Sequence, residues 1–315
     1  MNEQFIDSNS LLNKKEILSE FISSQLLAGR SEKTIQNYSH TINQLNDFID
    51  NNEQAKNQGF YSLESIELFF RYGILERNWS KYTIWTKYKN LNPFFKWCEQ
   101  KRKVNKNPLS EMVKPKMPLQ APKALNESEV NSLIEAVMNF PTQYRFTKLR
   151  NIAIIFIILY TGIRRKELLD LRVEDVDMLN GFIRIEHGKG DKYREIPIEQ
   201  KTLKPALISY LDYRHKLNKT SQWFFNGTFG NHSKDNNKLT ASAIDRLFRQ
   251  LREMLNYKIS AHRLRHTFAT FLLDNTGDIY TLKELMGHTK ISTTCIYLKS
   301  TRKKKVEAIN SISFV

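Results

Sequence analysis

Ser260-Ala261-His262-Arg263-Leu264-Arg265-His266 is the stretch on which the reading of this chain turns. One helical turn separates His262 from Arg265, so both side chains reach the same side of a helix. Histidine is a proton switch near neutrality, and arginine presents a planar fork suited to phosphate. Downstream lie Leu285-Met286-Gly287-His288 and then Tyr297. Together these groups offer proton transfer, anion stabilisation and a nucleophile. Taken alone, a His–Arg pair at this spacing equally describes a polar surface helix. His262 and His266 also form a candidate metal pair. The glutamate of an HExxH site is missing, however, and no Cys or carboxylate cluster completes one.

Outward from this stretch the chain reads as helices around one small β element. Helices are predicted at 279–286 and roughly 291–298 on one side. On the other, 241–255 carries Ile244, Leu247, Phe248 and Leu251 on one face. The Gly- and Asn-rich segment 226–237 reads as a loop, and 202–217 as a helix. Phe182-Ile183-Arg184-Ile185-Glu186 and Arg194-Glu195-Ile196-Pro197-Ile198 alternate as strands. Gly188-Lys189-Gly190-Asp191 between them is turn chemistry, which predicts a β-hairpin with Lys189 near its tip. Segment 148–160 is apolar nearly all round, as the central helix of a larger domain is. Gly162 suits the left-handed residue after that helix, and Arg164 follows directly. Asn126-Glu127-Ser128-Glu129 pairs a cap residue with Glu at the third helical position, ahead of an apolar stripe at Val130, Leu133, Ile134, Val137 and Met138.

The first hundred residues also read as helical. Ser31 caps a predicted helix with Ile35, Tyr38, Ile42, Leu45, Phe48 and Ile49 at helical spacing. A second covers 63–72. A third covers 81–101, where Pro93 predicts a bend or a break into two pieces. Lys81, Lys87, Lys89, Lys96, Lys101, Arg102, Lys103 and Lys106 are interspersed here. Each suits a solvated helix face, and as a group they suit phosphates. Four of the eight prolines fall at 108, 115, 118 and 122, a density that predicts an extended linker. The organisation expected is a helical domain at 1–107, a linker at 108–122 and a domain at 123–315. The fold class expected is mainly α with a small antiparallel β element.

The chain has 315 residues and a formal charge of +16, from 49 Lys and Arg against 33 Asp and Glu. Such a balance in a folded chain points first to a polyanion such as nucleic acid. Residues 123–315 hold 32 basic against 20 acidic residues, and 1–107 hold 15 against 12, so the field is strongest beside the candidate chemistry. Cys98 and Cys295 are too few for a disulfide framework. No signal peptide or membrane span is legible, which predicts a soluble, cytoplasmic protein.

Five motifs in order carry a resemblance. Thr161-Gly162-Ile163-Arg164-Arg165-Lys166-Glu167-Leu168, Gly188-Lys189-Gly190, His262-Arg263-Leu264-Arg265-His266, Leu285-Met286-Gly287-His288 and Tyr297 together look like the signature of the tyrosine recombinase/phage integrase family. The likeness covers 123 to about 300, and the N-terminal region resembles the family's helical core-binding domain.

The resemblance implies a two-domain recombinase that exchanges strands of double-stranded DNA between paired sites, with no metal or nucleotide cofactor. Tyr297 is expected to attack a phosphodiester, leaving a 3′-phosphotyrosyl link and a free 5′-hydroxyl. Arg164 and Arg265 are expected to hold the non-bridging oxygens. Lys189 would protonate the leaving 5′-oxygen, His262 would accept or donate a proton, His288 would bond the phosphate, and Glu167 would orient its neighbours. The family also implies a tetramer on DNA, nucleoid association and room for accessory DNA-binding proteins. Its tail commonly docks on a neighbouring protomer, and here Val306, Ile309, Ile312 and Phe314 give an apolar ending. Little room for an arm-binding domain ahead of Asn13 favours a Xer-like or small mobile-element recombinase. Two rivals share much of this pattern: a catalytically silent DNA-binding regulator and a type IB topoisomerase.

Overall fold

The computed structural model describes residues 10–117, 124–186, 193–227 and 237–298. They belong to two compact units, Met1–Gln120 and Ala121–Val315. Lys189, residues 228–236 and residues 299–315 lie outside the described residues.

The first unit is helical: α1 (Ser10–Leu27), α2 (Glu32–Asn51), α3 (Glu53–Asn57), α4 (Leu63–Leu75) and α5 (Lys81–Gln100). Four of them start where a short polar side chain takes an otherwise unpaired N–H, at Ser31, Asn52, Ser62 and Ser80. Their apolar stripes meet in an aromatic core, where Phe21, Tyr61, Phe94 and Phe95 make edge-to-face contacts.

Three expectations are corrected here. Helix α5 runs unbroken through Pro93. Leu91 lies before the proline and Phe94, Phe95 and Trp97 after it, all buried in one core, and this packing outweighs the hydrogen bond proline cannot donate. Lys87 is buried rather than solvated: its ammonium donates to Gln44 and lies 5.6 Å from the Trp79 ring centre. The linker's first residues are not extended, since Pro108–Ser110 form a 3-10 turn with Leu109 buried. Asn107 caps that turn, and the Tyr88 hydroxyl donates to the Leu109 carbonyl at 3.2 Å.

The second unit comprises α6 (Glu127–Met138), α7 (Arg145–Thr161), α8 (Arg165–Asp170), β1 (Val176–Asp177), β2 (Phe182–Ile185), β3 (Arg194–Pro197), α9 (Leu203–Lys216), α10 (Ala241–Leu255), α11 (Ala261–Thr276) and α12 (Ile279–Met286). Helix α7 is its axis. The run Ile152–Leu159 is buried on every side, with α6, α9 and α11 packed around it. The sheet is antiparallel in the order β1-β2-β3, with Ile183 opposite Ile196 and Ile185 opposite Arg194. Two-residue β1 is too short to be legible in sequence. The helix expected over 291–298 is instead two 3-10 turns, Ile291–Thr293 and Cys295–Tyr297. Thr294 between them is fully buried, with its hydroxyl engaged by His288.

Gly162 ends α7 at φ 61°, and an added Cβ would meet the Phe268 ring at 2.3 Å. Gly162→Ala therefore combines left-handed strain with overpacking, and urea denaturation should show a loss of about 2–4 kcal/mol.

Candidate active site

Helix α11 starts at Ser260, whose hydroxyl accepts the Arg263 N–H at 3.2 Å. Leu264 turns into the main core, while His262, Arg265 and His266, at i, i+3 and i+4, share the face that lines a cleft. The cleft has a volume of about 850 Å3, and Arg164, His288 and Tyr297 line it as well. Of the residues expected from sequence, five converge here, and Glu167 lies directly behind them. The sixth, Lys189, lies outside the described residues.

Arg164 reaches the cleft because Gly162 turns the chain sharply after α7. Its backbone N–H and its guanidinium Nη1 both donate to Glu167, at 2.8 and 2.7 Å. Arg194, from β3, grips the same carboxylate through Nη1 at 3.1 Å and Nη2 at 2.6 Å. Burial alone would raise the Glu167 pKa. The bonds from Arg194 and Arg164 prevail and hold it at about 2. Glu167 is thus a permanent anion with four donors.

The three arginines also meet the end of α12. Arg194 Nε donates to the Leu285 carbonyl at 3.0 Å, Arg265 Nη2 to Met286 at 2.6 Å, and Arg164 Nη2 to Gly287 at 2.7 Å. Arg265 Nη1 donates to the Gly162 carbonyl. The C-terminal carbonyls of a helix lack partners within it and carry partial negative charge, so they suit cations. Gly287 sits at φ 61°, and a Cβ there would come within 2.9 Å of Arg194 and 3.2 Å of Arg164. Arg265 is 6 % exposed. Burial and then the nearby Arg164 lower its pKa to about 10, and it stays charged at neutrality.

Gly287 directs His288 into the cleft. His288 Nε2 lies 3.4 Å from Arg265 Nη2, and Nδ1 lies 2.9 Å from the Thr294 hydroxyl. Arginine can only donate, so Nε2 accepts and the ring proton sits on Nδ1. Burial, then Arg265 and Arg164, push His288 down to about 4. Tyr297 is 4 % exposed, its ring packed with Ala269, Leu273, Leu282 and Met286. Burial raises its phenol pKa and Arg265 partly offsets that. Its hydroxyl meets His266 Nδ1 at 2.7 Å, and His266 Nε2 meets His262 Nε2 at 2.8 Å.

Two residues of the site were missed in sequence. Arg194 was read only as a strand residue, and nothing local marks it as a partner of Glu167, 27 positions away. His266 was weighed only as a metal ligand. Its place one turn from His262 was the available signal, since i and i+4 side chains are neighbours.

Arg194→Met should cost about 3 kcal/mol in urea denaturation, because Glu167 and the Leu285 carbonyl lose a buried donor. A second expectation concerns pH. Burial, with neighbouring cations, takes His266 and His288 from 6.5 to about 4. The unfolded chain binds protons below 6.5 that the folded chain refuses until about 4. Stability should be full above pH 6.5 and fall as pH drops from 6.5 to about 4. The decline should be shallower in a His266→Gln/His288→Gln double variant.

This fold and site can be set beside known proteins. Residues 123–304 match the model of the phage integrase family, and residues 17–103 match that of the phage integrase N-terminal SAM-like domain. The chain is 32% identical to tyrosine recombinase XerC of Pediococcus pentosaceus, over 88% of this chain and 91% of that one. It is 29% identical to tyrosine recombinase XerA of Pyrococcus furiosus, over 94% and 93% of the two. The fold is shared with XerH site-specific recombinase in its post-cleavage complex with a palindromic difH substrate. There the TM-score is 0.70 and identity 20%, covering 99% of this chain and 91% of that one. With an ordered motif set, a mostly helical two-unit fold and both family domains in place, the chain belongs to the phage integrase family of tyrosine recombinases.

Proposed function

We propose that this protein is a site-specific DNA recombinase that cleaves and rejoins strands through a 3′-phosphotyrosyl intermediate. The observation that carries the reading is the charge of the cleft. Arg164 and Arg265 line it beside Tyr297, and the one carboxylate behind them, Glu167, is shared by Arg164 and Arg194, so three guanidiniums face a single carboxylate and two positive charges are left over. A phosphodiester is the anion that uses both features. The bonds from Arg164 and Arg265 to backbone carbonyls occupy only some of their donors, and others remain for non-bridging oxygens. These arginines are held before substrate arrives, so stabilising the charge that grows in the transition state requires little reorganisation.

On this reading Tyr297 attacks phosphorus and the leaving 5′-oxygen takes a proton from Lys189. His288 is neutral with Nε2 as an acceptor, so bonding a phosphate oxygen requires it to gain a proton or shift the one it has. The phosphate's negative charge favours the gain. The phosphotyrosyl link conserves the energy of the phosphodiester, so rejoining needs no nucleotide. Residues 1–107 would serve as a DNA-binding clamp and 123–315 as the catalytic domain, joined through 108–122. Support for DNA as the partner comes from the charge of +16 and from the XerH relative, captured on its difH substrate.

The decisive experiment recovers DNA held covalently by the protein in its own cells and maps the attachment site. A duplex of that site, nicked just past the scissile phosphate, then traps the adduct. The parent protein should form it, and Tyr297→Phe should bind equally but form none. Binding without an adduct in both would instead indicate a DNA-binding regulator.

A further inference from the structure

The side chain that meets the nucleophile is His266, a histidine to which the proposed function gives no role. Tyr297 Oη lies 2.7 Å from His266 Nδ1, and His262 Nε2 lies 2.8 Å from the other ring nitrogen. His262 therefore stands behind His266 as seen from the tyrosine. A neutral imidazole carries one N–H. If that proton is on Nε2, His266 donates to His262 and accepts from the Tyr297 hydroxyl. If it is on Nδ1, His266 donates to Tyr297 and accepts from His262. In both cases the two bonds point the same way along the row, which is the requirement for a proton wire. Exposure rises along it: Tyr297 is buried, His266 half-buried and His262 exposed.

We propose that His266 is the base that takes the proton of Tyr297 and that His262 is the outer member of a relay leading it to the cleft mouth. This rests on the phosphotyrosyl reading above. In cleavage the Tyr297 O–H bond breaks as its oxygen bonds phosphorus, and the proton moves to His266 Nδ1. The Nε2 proton of His266 passes to His262 Nε2, and the 5′-oxygen leaves with a proton from the acid assigned above. In rejoining the 5′-hydroxyl attacks and gives its proton back to that acid, while the relay proton returns from His262 through His266 to the departing tyrosine. Neutrality of His266 in the DNA-free protein agrees with this, since burial and then His262 and Arg265 hold it down to about 4. Without a base the buried phenol stays protonated, because its own pKa is raised.

The test uses the full-length protein and the nicked duplex of its mapped site. His266→Ala should bind that duplex as the parent does, yet form the adduct about a hundredfold more slowly or worse. Added imidazole should restore part of the rate, which a purely structural defect would not allow. His266→Gln, which keeps a polar contact but takes no proton, should stay slow. A 5′-bridging phosphorothiolate, whose sulfur leaves without a proton, should not relieve the defect. A His266→Ala rate within about threefold of the parent, a parental rate for His266→Gln, or relief by the phosphorothiolate would each overturn the assignment. Side-chain 15N spectra of the DNA-free protein test the wire without any substrate. Tyr297→Phe should move both His266 ring nitrogens and His262 Nε2, and unmoved resonances also overturn it. If Tyr297→Phe still forms the adduct, the phosphotyrosyl reading itself fails, whatever the histidine variants do.

Discussion

Three consecutive carbonyls at the end of α12, those of Leu285, Met286 and Gly287, each bind a different arginine, and the site depends on this arrangement. The arginines come from β3, α11 and the turn before α8, which share no local sequence. Three guanidiniums at this separation repel one another. A helix terminus offers what offsets that repulsion: unpaired carbonyl oxygens at the negative end of a row of aligned peptide dipoles. Glu167 adds one full negative charge from the opposite side. Together they hold the cations in place without neutralising them.

This constraint explains the two glycines that border the site. Gly162 turns the chain so that Arg164 leaves α7 toward the cleft, and its carbonyl receives Arg265. Gly287 gives its carbonyl to Arg164 and leaves room for Arg194 where a Cβ would stand. In each case the left-handed backbone and the close approach of a guanidinium or ring belong to one requirement. Apolar packing then places Tyr297: its ring joins Ala269, Leu273, Leu282 and Met286, which belong to the helices that carry Arg265 and the carbonyl ladder.

Most helices were legible because the core requires apolar residues at helical spacing and caps require short polar side chains, as at Ser31 and Asn126. The residues gathered in the cleft stood out in sequence because they fall in an ordered motif set, within the span that matches the phage integrase family. What stayed hidden depends on distant partners. Pro93 reads as a break until Phe94 and Phe95 are seen to share a core with Leu91. Tyr297 reads as part of a helix until Thr294 is found buried against His288. Arg194 has no signal of its own, because its partners, Glu167 and Leu285, are 27 and 91 positions away.

The same field divides the labour among the side chains. Arginine keeps its charge even when burial and neighbours bring Arg265 down to about 10, whereas histidine beside it does not. His288, held near 4 by burial and by Arg265 and Arg164, is neutral in the free protein. His266 is likewise neutral, with His262 lowered by burial and Arg265. Fixed cations and neutral imidazoles are what a phosphotransfer site needs before substrate arrives: the former to receive an anion, the latter to accept a proton. A bound phosphodiester would place negative charge among these arginines and raise the proton affinity of every histidine nearby. On the proposed function, arrival of the anion would strengthen these bases at the moment Tyr297 gives up its proton, and its departure would weaken them again.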